Sequence, residues 1–212
     1  VAHNITTGEG GMVLTNNPLL EKECRSLREF GRCSQKDVMK NRFYNDKYLK
    51  NYDKRYVFTN IGFNLRMTDI CAAIGIQQLK KMDALNNIRR KNAKFLSNLI
   101  LKNLNDYIKL PLVYKNYFHT YYTFPMILKK NNSDNRKKIT IFLEKNNIET
   151  RPMFGGCLPD QPGLRNQPGR SFGKLKNSRY IKDNAFFVGI HPSLNKDDMI
   201  YIYKNLKEIL TK

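Results

Sequence analysis

Apolar positions recur along this chain first at helical spacing and then in short alternating runs. Leu19, Leu20, Leu27 and Phe30 fall on one side of a helix that Asn17-Pro18 can open and Gly31 can end. The longest pattern starts at the capping pair Thr68-Asp69. From there Ile70, Ala73, Ile74, Ile76, Leu79, Met82, Leu85, Ile88, Ala93, Phe95, Leu96 and Leu99 keep an apolar stripe to residue 104. Roughly 35 residues is long for a globular helix, which predicts a break near Asn86-Asn87 or a helix bridging two domains. Upstream, a glycine-rich turn over residues 7–11 precedes an expected strand, Met12–Thr15. Residues 33–60 have no period and read as a long loop with a short hairpin near Arg55–Phe58.

After residue 106 the texture changes. Tyr107–Leu110, Tyr121–Leu128, Glu149–Phe154 and Ala185–Ile190 read as strands. Arg136–Asn146, closed by Asn147, and Asn177–Asn184 read as helices, as does a last segment capped by Asn195 with Met199, Ile202, Tyr203, Leu206 and Ile209 facing inward. This alternation predicts an α/β chain: a small α+β domain, 105–212, appended to the end of a larger one, 1–104.

Composition removes several function classes. The chain has 212 residues, 41% of them hydrophobic, which is enough for a core. No run approaches the roughly 20 apolar residues of a spanning helix, so no membrane span is expected. Lys and Arg number 38 against 18 acids, a net charge of +20 that would attract nucleic acid or a phosphorylated substrate. The basic residues are dispersed, and no zinc-finger spacing, RNA-binding signature or basic heptad arm accompanies them, so specific nucleic-acid binding is not expected. The charge suits a diphosphate substrate. Cys24, Cys33, Cys71 and Cys157 lie far apart without a CxxC pair, which fits neither a disulfide framework nor a zinc site and points to a reducing cytoplasm.

The glycine cluster Gly8-Glu9-Gly10-Gly11 fits neither the Walker nor the dinucleotide pattern, and by itself reads as a tight turn. The wider segment His3-Asn4-Ile5-Thr6-Thr7-Gly8-Glu9-Gly10-Gly11-Met12-Val13 carries more. It resembles the active-site segment of the DegT/StrS family of nucleotide-sugar aminotransferases, fold-type I pyridoxal-phosphate enzymes. Collinear matches follow: Ser26-Leu27-Arg28 with Gly31-Arg32, Gly62-Phe63-Asn64-Leu65-Arg66-Met67-Thr68-Asp69, and Arg89-Arg90 with Asn92-Ala93. Glu149-Thr150-Arg151-Pro152, Gln161-Pro162 and Gly189-Ile190-His191-Pro192 complete the series. The resemblance covers the whole chain. It implies the C-terminal part of a longer enzyme: the end of the large domain plus the small α+β domain, with most coenzyme ligands upstream.

The informative departure is at the residue before Asn4. The aminotransferases have a Lys there that forms a Schiff base with the coenzyme; this chain has His3. Imidazole forms no stable imine, but it moves protons near neutral pH. The same exchange marks a subgroup of the family, the 3-dehydrases that remove the C3 hydroxyl of nucleotide-linked 4-keto-6-deoxyhexoses with non-covalently held pyridoxamine 5′-phosphate. The resemblance therefore implies His3 as the acid–base group. One kind within the subgroup carries a [2Fe–2S] cluster served by a reductase. Here Cys33 stands alone after Gly31-Arg32, with no further Cys until Cys71. That argues against a cluster at that place and for the other, metal-free kind that regenerates its coenzyme from glutamate, whereas Gln161-Pro162 and Gly189-Ile190-His191-Pro192 look closer to the first kind.

By the same resemblance Asn64 reaches the coenzyme phosphate of a neighbouring subunit, so a homodimer with shared active sites is expected. Arg66 pairs with phosphate or sugar, His119 and Tyr121 line the sugar pocket, and Arg151 faces the nucleotide diphosphate. Two other readings stand beside the dehydrase. One is a pyridoxal-phosphate-dependent sugar aminotransferase using a Lys from elsewhere; the other is a non-catalytic basic binding module.

Overall fold

The computed structural model describes residues 3–33, 47–49, 52–129 and 133–211. Most of the loop expected over 33–60 therefore lies outside the described residues. The chain divides into two compact units, one made of Val1–Ile5 with Leu79–Lys212 and the other of Thr6–Gln78.

The first unit is built on a four-stranded antiparallel sheet. Its strands are β1 (Ile108–Lys109), β2 (Phe124–Leu128), β3 (Thr150–Pro152) and β4 (Ala185–Val188), in the spatial order β1-β2-β4-β3. Phe124, Met126 and Leu128 alternate with half-buried residues, so β2 buries one face, whereas every residue of the central β4 is buried. The register sets Phe124 opposite Val188 and Met126 opposite Phe186. Against that face pack three helices. The second half of α2 (Asp69–Asn103) brings Ala93, Leu96 and Ile100, α3 (Ser133–Lys145) brings Ile139 and Leu143, and α6 (Lys196–Thr211) brings Met199, Ile202 and Leu206. Asn147 at φ 57° closes α3 in the left-handed conformation that ends many helices. Asn195 caps α6 reciprocally: its side chain accepts from the Asp197 N–H at 2.7 Å, and Asp198 accepts from the Asn195 N–H at 2.8 Å.

α2 is continuous through Asn86-Asn87, so of the two expectations for so long a helix the break does not occur, and its residues fall in both units. Its periodic stripe is buried only in the second half. Ile70 is 76% exposed and Ile76 57%, whereas Leu96 and Ile100 are fully buried.

In the second unit, Asn17 caps α1 (Pro18–Arg28) by accepting from the Leu19 N–H at 2.9 Å. The expected strand Met12–Thr15 has no strand pairing among the described residues, and Met12, Val13 and Leu14 are exposed. A strand needs a neighbouring ladder, and none lies beside it among the described residues. The hairpin expected near residues 55–58 is also absent. Asp53 caps a 3₁₀ turn, Lys54–Tyr56, and Phe58 pairs instead with Arg32. Gly31 and Gly62 allow two segments to touch backbone to backbone. Gly31 has φ 87°, and a Cβ there would meet the Asn60 carbonyl oxygen at 1.8 Å.

The loop between β3 and β4 contains α4 (Pro162–Arg165) and leads into α5 (Lys176–Asn184). Asp160 ties it down through Arg179 at 3.0 Å and Lys182 at 2.7 Å. Hydrogen bonds from Arg179 and then Lys182 hold the Asp160 carboxyl at about 2. A lowered folded-state pKa adds stability above the ordinary carboxyl range and loses it as pH falls towards about 2. Asp160→Asn should therefore melt below the wild type near neutral pH, with the gap closing in acid, as a series of thermal melts would show. In the core, Phe186→Ala should cost about 3–5 kcal/mol, measured by urea unfolding, because a fully buried ring would leave a cavity.

Candidate functional site

The chemistry singled out at His3 is held by one face of α2. Asn86 and Arg89 are three residues apart and so project to the same side. The Asn4 side-chain amide donates to Asn86 Oδ1 at 2.8 Å and to the Thr120 carbonyl at 3.2 Å. Arg89 donates from Nη2 to the His3 carbonyl at 3.3 Å and from Nη1 to the Tyr121 carbonyl at 3.4 Å. Arg89 is only 2% exposed, and burial pushes its pKa down, yet a guanidinium stays charged in proteins. The His3 ring itself is exposed and leans on Tyr122, centroids 5.1 Å apart at 43°.

From that pair an aromatic row continues inward. Tyr122 stacks with Phe154 at 6.3 Å, and Phe154 meets Phe187 at 5.5 Å. The row forms one side of a cavity of about 760 Å³, into which Arg89, Arg151, His191 and Tyr201 also project. A cavity of that size suits a small-molecule ligand. Arg151 at its edge is exposed and paired with Glu149, Nε to Oε1 at 2.9 Å. His191 bonds through Nδ1 with Ser193 at 2.8 Å; burial and the Arg89 charge push its pKa down. Phe154 has φ 47°, a conformation that costs a non-glycine residue energy, and it presents an exposed ring to the cavity.

His119 and Tyr121 lie on the loop before β2 and do not line this cavity. The His119 ring sits 4.2 Å from that of Tyr121, and its Nδ1 accepts from the Tyr121 N–H at 3.0 Å. Burial lowers the His119 pKa and raises that of Tyr121, the latter opposed by the Arg90 charge. Tyr121 packs against the core and has φ 51°. The imidazole of His119 thus caps a strained turn.

Asn64 and Arg66 belong to the other unit. Asn64 pairs with Glu29 across an isolated bridge, and its Oδ1 accepts from Arg66 Nε at 3.4 Å. Arg66 lies 3.6 Å from the Glu29 carboxylate and over the Phe30 ring at 5.8 Å. Both side chains are exposed. The glycine turn of this unit rests on the start of α2: Gly8 and Gly10 have positive φ, and a Cβ on Gly75 would stand 3.1 Å from the Thr7 methyl. Among the described residues no group of three or more His, Cys, Asp or Glu is placed to hold a metal ion, and all four cysteines are free. No helix of the described residues is long and apolar enough to cross a membrane.

Sequence reasoning brought His3 and Arg151 forward as site residues but not Arg89, Tyr122, Phe154 or His191. Arg89 had a signal, since it interrupts the apolar stripe at the register of Leu85, Ala93 and Leu96. For Tyr122 and Phe154 the contacts arise only when two loops fold together.

Over residues 1–207 the sequence matches the DegT/DnrJ/EryC1/StrS aminotransferase family. It is 31% identical over 214 residues to the lipopolysaccharide biosynthesis protein RfbH of Salmonella typhimurium, covering 98% of this chain and 49% of the relative. It is 32% identical over 220 residues to the dTDP-4-dehydro-2,6-dideoxy-D-glucose 3-dehydratase of Saccharopolyspora spinosa, covering 100% of this chain and 47% of the relative. Among solved structures, E. coli GDP-4-keto-6-deoxy-D-mannose-3-dehydratase with bound hydrated PLP matches with a TM-score of 0.77 at 25% identity, covering 97% of this chain and 52% of that one. The chain spans about half the length of the curated relatives it matches. Its architecture is accordingly part of the fold-type I arrangement that the resemblance implies, and the chain belongs to the DegT/DnrJ/EryC1/StrS aminotransferase family.

Proposed function

We propose that the enzyme to which these residues belong dehydrates C3 of a nucleotide-linked 4-keto-6-deoxyhexose, in deoxysugar synthesis for surface polysaccharide. The observation that carries this reading is His3. It stands where the family's aminotransferases have their Lys, its ring is exposed beside Tyr122, and its backbone is tied to α2. The names of three relatives, all sugar 3-dehydratases, point the same way.

The residues present fit a non-covalently held pyridoxamine phosphate. Position 3 offers no amine for covalent attachment, and the His3 ring is exposed. When bound, the coenzyme would supply a primary amine for the sugar ketone and an electron-withdrawing ring. His3 accepts a proton on its unprotonated ring nitrogen and can return one to the departing hydroxyl, which leaves as water. Tyr122 limits the swing of the imidazole. Arg151, at the cavity edge beside the aromatic row, offers the planar fork that suits a diphosphate. Residues 1–104 would then belong to the coenzyme-binding large domain and 105–212 to the small one. Asn64, exposed on its loop, would reach the coenzyme phosphate across a homodimer interface.

His3→Asn in the complete enzyme should retain coenzyme but dehydrate about 10²–10⁴-fold more slowly, as loss of a positioned base does. Dehydration at the wild-type rate would reject the reading. His3→Lys should turn the coenzyme-loaded protein yellow, and a colourless product would show that position 3 does not face the coenzyme. Light scattering should find a dimer at micromolar concentration; a fully active monomer would rule out shared sites.

A further inference from the structure

The proposed chemistry uses the imidazole of His3 but does not explain what aims it. His3 is exposed, and its ring touches only Tyr122 among the described aromatic rings. Residues 1–5 nevertheless cluster with Leu79–Lys212 and not with the residues that directly follow them. The bonds responsible come from α2. Asn86 takes the Asn4 amide at 2.8 Å, and Arg89, one turn further on, takes the His3 carbonyl at 3.3 Å.

Arg89 does more than anchor that one peptide. Its second amino group donates to the carbonyl of Tyr121, the residue before the ring on which His3 leans. A single rigid guanidinium therefore fixes both the backbone of the imidazole and the backbone of its neighbour Tyr122. Two donors held in one plane set a separation as well as a position, which a flexible ammonium cannot do. Tyr121 at φ 51° is a conformation a tyrosine keeps only when its surroundings hold it. Arg89 on its carbonyl and His119 on its N–H supply that hold. The guanidinium is buried in the register of the apolar stripe of α2, so the helix core sets its own position.

We propose that Arg89, assisted by Asn86, is the positioning residue of His3, locking the imidazole and Tyr122 into one geometry for proton transfer. This rests on the dehydrase reading above. The test uses the complete, coenzyme-loaded enzyme and a double-mutant cycle of Arg89→Lys with His3→Asn. In the wild-type background Arg89→Lys should lower kcat about 10- to 100-fold, the scale of loss expected when a catalytic group is misplaced by an ångström. KM should stay close to the wild-type value, and the solvent deuterium isotope effect on kcat should rise as proton transfer becomes the slow step. In the His3→Asn background the same change should cost less than about twofold, because a residue acting through His3 has nothing left to position. Asn4→Ala, which loosens the same segment without touching the buried charge, should lower kcat in the same direction and carries the test if Arg89→Lys does not fold.

An unchanged kcat in Arg89→Lys would overturn the proposal. So would an equal loss in both backgrounds with no change in isotope effect, which would mark a purely structural Arg89. The His3→Asn rate by itself decides the functional reading, so failure of that reading and failure of the positioning role are told apart.

Discussion

A positive charge taken out of water inside the α+β unit constrains everything around it. Arg89 is almost fully buried, and a buried cation is tolerated only where polar groups converge on it. The carbonyls of His3 and Tyr121 do so from two segments remote in sequence. The demand runs backward into the helix: Asn86 and Arg89 serve the same segment only if α2 keeps its turn through residues 86–89. A break at Asn86-Asn87, which the polar pair in the sequence suggested, would have separated them. Asn86 is polar there because it has a partner in Asn4, not because the helix stops.

The elements that the sequence disclosed best are those whose periodicity is buried in this chain. β2, β4 and α6 lie within the segments expected, since alternating or helical apolar spacing corresponds directly to Phe124–Met126–Leu128, the buried β4, and Met199–Ile202–Leu206. The caps at Asn17 and Asn195 were legible for a local reason: an Asn side chain reaches an N–H two or three residues on without help from the rest of the fold. Met12–Thr15 was misread because β-propensity reports only readiness to pair. The partner strand decides, and none stands beside these residues among those described.

The site divides along the same line. His3 was singled out because a collinear motif marks its place, and the exchange of one residue type for another changes the available chemistry. Arg151 was singled out beside Pro152, and it lies within β3 at the cavity edge. His119 and Tyr121 were assigned to a pocket wall, yet they form a strained turn with the Tyr121 side chain on the core, while the next residue, Tyr122, faces the cavity. The shift of one position follows from the left-handed conformation at Tyr121, which reverses the alternation that a plain strand would give. No spacing rule reveals a positive φ at a tyrosine.

The unburied half of the α2 stripe carries the remaining argument. Ile70, Ile74, Ile76 and Leu79 keep helical spacing yet are exposed, as are Met12, Val13 and Leu14 of the same chain. A regular apolar face of this kind is seldom left in water by a stable protein. The chain spans about half the length of its relatives, so there is protein in those relatives, or in a second copy, to cover such a face. The hydrophobic pattern of α2 thus comes in two kinds, one buried and one exposed. From Ala93 onward it records the core of the α+β unit, complete in itself. Before Leu79 the same apolar spacing is exposed, in the stretch of helix where Gly75 stands against Thr7 of the glycine turn. The chemistry proposed for His3 sits where the first kind ends. His3, proposed above as the acid–base group, is thus tied through Asn4 and Arg89 to the half of α2 that is seated in a core, while the exposed apolar positions lie in the other half and in residues 12–14.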